Sequence, residues 1–534
     1  MKIRRALGID LGTTNSAIAL FGADEHEILL HEDKFRRKTM PSMVGFNFET
    51  DELLTGFEAW NRRAMDPAPV ASVKRKMGSQ RPVSVGPHEM LPEEVSAKIL
   101  ERLVEDMRPF VSDRVEDVDY VLDQAVITVP AYFSDAQRTA TRQAGELAGL
   151  KVERIINEPT AAALCYVGKH GIGDGTFLVY DLGGGTFDVS VIRCLLGEYQ
   201  VLGIHGDNYL GGDDFDRRLA EYFRQFLVDQ GYSLDLDVAN ESADAVRFLL
   251  LTRLAQEIKE ALSTSEFQYV ARRDIFEDKA GQSVTLELEI SREQFEELIG
   301  DLVEQSVDCA LKALELSTEA GDTRLEDVDY ILLVGGSTRV PLVQRKIEEE
   351  LCGPGKSKAS RPLIDEPDTC VALGAAIHAG NVAPIELIAE DDDALRVQLT
   401  GSLGTSAPAA RLSGRLLSDG AGSATTSAIS SAVLVNPAGD IASIVRVDTD
   451  DGDIAFTFEA IPTTEVGRYD YRLELCDREG DALHSFPLWL RRLPDESANR
   501  PTGGALSNPS VLAKDIYLDV VRDGRQGRTL LLGR

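Results

Sequence analysis

Basic side chains are scarce in this sequence. Lys and Arg number 56 against 89 Asp and Glu, which leaves a formal net charge of −33 over 534 residues. That deficit argues against nucleic acid or an anionic membrane surface as a partner, because both select for clustered Lys and Arg. Solubility is the plainer reading of the acidic excess. Cysteine is also sparse: six residues, at 165, 194, 309, 352, 370 and 476, with no C-x-x-C pair. Such scatter fits reduced thiols and a cytoplasmic location and excludes a disulfide framework. The seven histidines show no metal-ligand spacing. No apolar run reaches the roughly 20 residues that a membrane-spanning helix needs. The opening Met1-Lys-Ile-Arg-Arg5 looks like the charged start of a secretory signal, but Asp10 breaks the apolar stretch behind it, so no cleavable leader is expected. A hydrophobic content of 43% is ordinary for a globular chain. The length predicts several domains, at roughly 100 to 200 residues each.

Glycine, in contrast, is concentrated where it matters. Residues 177–193 read Phe-Leu-Val-Tyr-Asp-Leu-Gly-Gly-Gly-Thr-Phe-Asp-Val-Ser-Val-Ile-Arg. The apolar run predicts a buried strand ending at Asp181. Gly183, Gly184, Gly185 and Thr186 form a turn, and a second strand carries Asp188. Three glycines let a backbone approach a ligand closely, and successive amides in such a turn can form a concavity for an anion. Asp181 and Asp188 flank that anion, where Mg²⁺ would reconcile carboxylate with phosphate. A three-glycine turn by itself is equally an ordinary hairpin turn. The second copy decides between them. Residues 6–20 repeat the plan, with a strand, Asp10, Gly12, Thr13, Thr14 and a second strand. A repeated unit at long spacing predicts two related lobes, with two hairpins gripping a phosphate chain from both sides. The pair resembles the two phosphate motifs of the actin, sugar-kinase and heat-shock ATPase superfamily.

Further along, Val70–Gly78 carries Lys74, Arg75 and Lys76, either a solvated surface or a cation placed to reach a phosphate. Residues 92–107 have apolar positions at helical spacing with Pro92 at the start. Ala125–Pro130 predicts a buried strand, Ser134 and Asp135 open a helix stopped by Gly149, and Val152–Ile156 is another strand. A helix over Ala161–Val167 follows Asn157-Glu-Pro-Thr160, and a helix around Leu249–Leu262 carries Lys259. Val334–Arg339 reads as a strand end and glycine turn leading into a helix over Val343–Leu351, a helix start suited to a nucleotide.

The stretch Ala125–Ala163, with Val-Pro-Ala-Tyr-Phe-Ser-Asp-Ala-Gln-Arg and Ile-Ile-Asn-Glu-Pro-Thr-Ala-Ala-Ala, resembles the DnaK-type heat-shock chaperone family, as do Leu210–Asp216 and Ile331–Pro341. The resemblance covers about residues 1–383. It implies an α/β fold, a two-lobed actin-like ATPase domain with lobe I at about 1–170 and lobe II at about 171–383. It implies ATP/ADP and Mg²⁺ as cofactors, with K⁺ as a further cation, slow ATP hydrolysis, and a part in the stress response. Carried over residue by residue, Asp10, Glu158 and Asp181 would hold Mg²⁺ through its water shell. Thr13, Thr14, Gly184, Gly185 and Thr186 would bind phosphates, and Gly12, Asn15, Gly183, Gly211 and Gly212 join the nucleotide-binding set. Lys74 would neutralise the γ-phosphate, while Asp181 and Asp188 would orient the attacking water. The turn Gly335-Gly336-Ser337, with Lys259, Ser263, Arg339 and Asp368, would hold adenosine. Glu158 and Thr186 complete the catalytic group. Two departures stand out: Asn15 replaces a common aromatic, and Gln256 replaces a usual adenine-contacting glutamate, which implies weaker nucleotide affinity. Pro130 and Arg138 match positions that relay nucleotide state. Arg154 matches a position that meets J-domain co-chaperones, and a nucleotide exchange factor is a further implied partner.

Beyond residue 383 the family pattern breaks. Residues 384–393 read as a thin apolar run and then an acidic linker, and the familiar peptide-binding domain and helical lid do not follow. Residues 394–493 instead carry short alternating segments at Leu395–Leu399, Ala410–Leu417, Val433–Val435, Ile441–Val447, Ile454–Phe458, Gly467–Asp481 (a strand with its turn) and Ala482–Leu490, which predict a smaller all-β, sandwich-like domain. Gly467-x-Tyr469-x-Tyr471 is similar to the tyrosine corner of immunoglobulin-like sandwiches. Ala421–Ser431 and 494–510 read as loops, and the tail reads as a hairpin able to pair back onto the sandwich. Three functions follow as expectations. The first is a chaperone of atypical architecture holding a protein client through its C-terminal β-domain. The second is an ATP-switched adaptor for one folded partner. The third is a small-molecule kinase, disfavoured because no sugar-binding motif is evident.

Overall fold

A computed structural model describes the whole chain apart from residues 24–26, 64–66, 116, 172, 196–197, 322, 390–394, 401–402, 419–427, 451–452, 494–515, 523–524 and 533–534. The expected loop at 494–510 and most of the one at 421–431 lie outside the described residues.

The two glycine hairpins organise two sheets of one plan. In the first, Leu7–Asp10 pairs antiparallel with Asn15–Phe21, which pairs with Ile28–Leu30; on the other side Gln124–Val129 and then Lys151–Asn157 run parallel. In the second, Gly175–Leu182 pairs antiparallel with Phe187–Leu195 and then Glu198–Asp207; Tyr330–Val334 and Leu363–Ile364 run parallel on the far side. The inner strands of both sheets are buried on both faces, which is why they read as continuous apolar runs.

One helix follows the last parallel strand of each sheet, Glu158–His170 after the first and Cys370–Val382 after the second, and Cys370–Val382 packs back on the first sheet, against Leu7–Asp10 and Asn15–Phe21. They pack together through a core that includes Ala161, Ala162, Phe177, Val179, Cys370 and Leu373. Gly374 makes this contact possible, since a Cβ there would lie 1.7 Å from the Ala161 carbonyl oxygen. Each lobe has a separate hydrophobic core besides.

The C-terminal region is a β-sandwich, as expected. One sheet orders Gly404–Thr405, Ala482–Arg492, Gly467–Cys476, Ser431–Val435 and Ile441–Arg446. Its inner face, with Leu473, Leu475, Phe486 and Leu488, shares a core with Val397, Leu399, Phe456 and Phe458 of the other sheet. Tyr469 donates from its hydroxyl to the Glu465 carbonyl (2.9 Å) and accepts from the Glu465 amide (2.6 Å), a tyrosine-corner contact. The tail forms a hairpin, Ile516–Arg522 with Arg525–Leu532, paired only with itself among the described residues.

The stretch expected as linker differs from its reading. Ile385–Ile388 is a strand, all four residues buried, between Lys2–Arg4 of lobe I and Leu395–Thr400 of the sandwich. The resulting sheet orders Asp119–Val121, Lys2–Arg4, Ile385–Ile388, Leu395–Thr400, Ala409–Ser418, Asp453–Pro462 and Asp448–Asp450, so lobe I and the sandwich share strands. Ile3, Val118, Ile385 and Leu387 join the sandwich core. Glu386 is tolerated there because Arg4 (2.9 Å) and Arg396 (3.1 Å) meet its carboxylate. The acidic part, 390–394, lies outside the described residues.

Candidate functional site

The two hairpin turns meet tip to tip. A Cβ on Gly184 would stand 2.2 Å from Thr14 Oγ1, and one on Gly185 would stand 3.1 Å from Thr13 Cγ2. Gly184 is therefore required by the approach itself, whereas at Gly185 the Thr13 methyl would have to give by a few tenths of an ångström and the Arg75 guanidinium would have to move. Gly12 is required locally: the Asn15 carbonyl oxygen would lie 1.9 Å from its Cβ. The first turn is braced by Ser16, whose hydroxyl accepts from the Gly12 amide (3.2 Å), and by Ser42, which donates to the Gly12 carbonyl (2.8 Å). The Thr14 hydroxyl is buried and finds no partner among the described residues. A buried donor left open at a turn of backbone amides fits an anionic ligand.

Beneath the turns lies a cleft lined by Asp10, Gly12, Thr13, Thr14, Asn15, Lys74, Glu158, Asp181, Gly183, Gly184, Thr186, Gly335, Gly336 and Asp368. Of the residues singled out in the sequence, these fourteen are brought together. Thr39, Val334, Pro367 and Val371 complete the lining.

The electrostatics are lopsided. Four carboxylates, Asp10, Glu158, Asp181 and Asp188, gather around one ammonium, Lys74, which is buried and bonds Glu158. Burial and the neighbouring Glu158 push Asp10 up to about 7, against Lys74 and a 3.1 Å bond from Thr128. Burial and Glu158 push Asp188 up to about 7 as well. Asp181 is raised well above the usual carboxylate range by burial, Glu158, Asp188 and Asp10. Burial lowers the Lys74 ammonium, but Glu158, Asp10 and Asp188 outweigh it, so its pKa is raised. A divalent cation between the carboxylates and an anion would relieve this excess, so the donor set fits Mg²⁺. Among the described residues no three acidic, His or Cys side chains converge closely enough to ligate a metal directly. The set suits an ion that keeps its water.

The remaining predicted residues form a second layer. Gly335 adopts φ +82°, and a Cβ there would lie 2.8 Å from Asp181 Oδ1. Gly211 packs on the Gly184 backbone, and the Gly212 amide donates to the Gly183 carbonyl (3.0 Å). Ser337 donates to the Gly183 carbonyl (2.8 Å), which ties the turn after Val334 to the hairpin. Lys259 is buried, bonding the Gly212 carbonyl (3.1 Å) and pairing with Asp216 (2.8 Å). Ser263 lies one turn beyond, its hydroxyl donating to the Lys259 carbonyl (3.1 Å). Arg339 pairs with Asp368 at 2.6 Å on the exposed rim. Asp188 and Gly185 are not among the lining residues; Gly185 faces Thr13 and Arg75, and Asp188 lies near Glu158 and Lys74. Gln256 bonds Glu260 (3.1 Å) on its own helix. Pro130 is buried, Arg138 bonds Asn157 (2.7 Å) next to Glu158, and Arg154 is exposed on its strand.

Sequence reasoning passed over several supports. Arg75 reaches across to the Gly185 carbonyl, although the basic run containing it had been noticed. Asp216 closes the Leu210–Asp216 motif and carries the charge that holds Lys259. Thr128 and Ser16 in strands, and Ser42 just after one, carry no signal beyond their neighbourhood, because a lone hydroxyl there is unremarkable.

Comparison with known proteins bears on the family. A family model described as "Hsp70 protein" matches residues 6–85 and 82–400. The chaperone protein DnaK of Ureaplasma urealyticum is 39% identical over 395 residues, covering 74% of this chain and 60% of that protein. The chaperone protein DnaK of Halobacterium salinarum is 40% identical over 402 residues, covering 75% and 58%. The chain thus spans no more than about 60% of the length of these curated relatives.

Proposed function

The chain belongs to the Hsp70 family, and from that premise we propose that residues 1–383 bind ATP and hydrolyse it slowly, with nucleotide state governing how the C-terminal β-region, about 394–493, holds a protein client. The observation that carries this reading is the meeting of Thr14 with Gly184 above four carboxylates and one lysine. Phosphoryl transfer depends mostly on positioning and charge compensation, and each part has a residue here. The turns at Thr13, Thr14 and Gly183–Thr186 cradle the phosphates with backbone amides. Lys74, held by Glu158, meets the charge that develops on the transferred group. Asp188, whose raised pKa suits proton transfer near neutrality, orients the attacking water with Asp181 and takes up its proton. Mg²⁺, held through water by Asp10, Glu158 and Asp181, would supply charge neutralisation across the phosphates. Gly335–Ser337, Lys259, Ser263, Arg339 and Asp368 receive adenosine. K⁺ as a second cation, a J-domain partner at the exposed Arg154, an exchange factor and a cytoplasmic setting belong to the same proposal. The Arg138–Asn157 bond beside Glu158 supports a relay of nucleotide state.

A second reading is favoured by one observation. Ile385–Ile388 is zipped on both sides, so the sandwich continues the sheet of lobe I. A domain held this way suits an ATP-switched adaptor for one folded partner as well as it suits a general client holder. Single-turnover ATP hydrolysis by the whole chain, with and without excess unfolded polypeptide and with Lys74→Ala as blank, separates them. Acceleration of several-fold by polypeptide supports the chaperone. Hydrolysis indifferent to polypeptide moves the assignment to the adaptor, and hydrolysis no faster than the blank sinks both.

A further inference from the structure

Three consecutive carbonyls of the glycine turn are each tied down. The Gly183 carbonyl accepts from the Gly212 amide (3.0 Å) and the Ser337 hydroxyl (2.8 Å). The Gly184 carbonyl accepts from the Asp213 amide (2.6 Å). The Gly185 carbonyl accepts from the Arg75 guanidinium. A trans peptide unit is planar, with its carbonyl and its N–H on opposite sides. Each tie therefore also aims the amide that follows it, that of Gly184, Gly185 or Thr186, away from the anchor. None of these three amides donates to a partner among the described residues, and Gly184 and Thr186 line the cleft. Glycine imposes little conformation of its own, so the aim of these amides depends on the ties.

The ties differ in origin. Gly212, Asp213 and Ser337 belong to the same lobe as the turn, where Leu182, Phe187, Leu210, Phe215 and Val340 share one core. Arg75 comes from the other lobe. It sits in the short 3-10 turn Val73–Lys76, and both Val73 and Met77 are buried in the core built on Leu7, Ile9 and Ile18. Its neighbour Lys74 lines the cleft and bonds Glu158, while Arg75 itself leaves lobe I and is received by lobe II. There its guanidinium stands 5.8 Å from the centre of the exposed Tyr209 ring. Burial raises the Asp213 and Asp214 carboxyls, and the Arg75 charge works against that rise at both.

We propose that Arg75 is a positioning residue for phosphate: by holding the Gly185 carbonyl from the opposite lobe it aims the Thr186 amide at the phosphate chain, so that the cradle of amides is complete only while the two lobes are together. The proposal rests on the nucleotide reading above and gives Arg75 no contact with the nucleotide. Tyr209 braces the guanidinium from lobe II. Adenosine carries no phosphate and makes no use of the cradle, so it serves as the internal control.

The test is titration calorimetry of ADP with Mg²⁺, and separately of adenosine, into the full chain at low salt and at roughly 0.5 M salt. Arg75→Met keeps an apolar stem and removes the donors. It should weaken ADP about tenfold at both salt levels, the low end for a hydrogen bond with a charged partner because Arg75 is exposed, and leave adenosine within about twofold. Arg75→Lys can donate to the same carbonyl without the planar fork, and should recover part of the loss, to about threefold weaker than the parent. Tyr209→Phe should match the parent, and Tyr209→Leu should weaken ADP about twofold to fivefold, the worth of an exposed cation–π contact. An ADP affinity of Arg75→Met within about twofold of the parent overturns the positioning role while leaving nucleotide binding intact. Equal losses for ADP and adenosine also overturn it, because they mark general loosening. A deficit that disappears at high salt overturns it as well, since salt screens a bare charge effect and not a bond to a neutral carbonyl. A parent chain that binds neither ADP nor adenosine removes the nucleotide reading, and the role of Arg75 with it.

Discussion

Replacing Glu386 by alanine should unzip the sandwich from lobe I, and the structure allows the effect to be sized. Glu386 lies between Lys2–Arg4 and Leu395–Thr400, its side chain 9% exposed, bonded to Arg4 and Arg396, which are 17% and 13% exposed. Removing one member of a buried ion pair typically costs about 3–5 kcal/mol, because the partner charge stays behind. Two features reduce that figure here. Arg4 keeps Asp123, which it meets at 2.8 and 3.0 Å, and both arginines reach some solvent. A loss of about 2–3 kcal/mol remains, or roughly thirtyfold to 150-fold in the opening equilibrium of the strand. Hydrogen exchange followed by mass spectrometry on peptides spanning 385–400 reads this quantity directly, since exchange through local opening scales with that equilibrium. A companion triple variant, Arg4→Met, Glu386→Met and Arg396→Met, should restore protection, because apolar groups of similar volume replace a buried ion network with little loss. Exchange in Glu386→Ala at the parent's rate would refute the reasoning and leave the apolar flanks, Ile385 and Leu387, as what holds the strand.

Two further predictions concern the cleft. Asp10 and Asp188 have folded-state pKa values raised to about 7 from 3.8. Their raised pKa values mean the folded ligand-free chain binds protons more tightly than the unfolded one, so stability falls as pH rises from about 4 to about 7. Mg²⁺ with ADP stabilises the ionised carboxylates, so its increase in melting temperature should be larger at about pH 8 than at about pH 6 by scanning calorimetry; equal shifts would contradict the electrostatic account. Gly184→Ala places a Cβ 2.2 Å from Thr14 Oγ1 and must part the hairpins. It should weaken ADP binding at least about tenfold by titration calorimetry, and unchanged affinity would mean that the turns need not touch.

Much of the site was legible because its parts are local. Asp10 with Gly12–Thr14, and Asp181 with Gly183–Thr186, each lie within one strand and turn, and the duplicated plan announces itself in the residue order. The topology bears this out, with both hairpins at matching places in matching sheets. From its residues alone Lys74 was one of three basic side chains; the family resemblance singled it out, and its buried contact with Glu158 needed the fold. Arg75, from the same run, looked like solvated surface and instead bonds the Gly185 carbonyl. Ile385–Ile388 was misjudged as linker because four residues followed by acid are too short for periodicity to separate a strand from a tether.

By itself, then, the sequence determined the two hairpins with Asp10, Asp181 and Asp188, and the all-β character of the C-terminal region, since each depends on spacing between near neighbours; the duplicated plan implied the paired lobes, and Glu158 joined the carboxylates only through the family resemblance. Tertiary structure alone decided which distant segments touch: Lys2–Arg4 against Ile385–Ile388, and Lys38 and Lys169 against Glu366. Such contacts are set by sheet register and helix packing over hundreds of residues. No local pattern of charge or hydrophobicity encodes them.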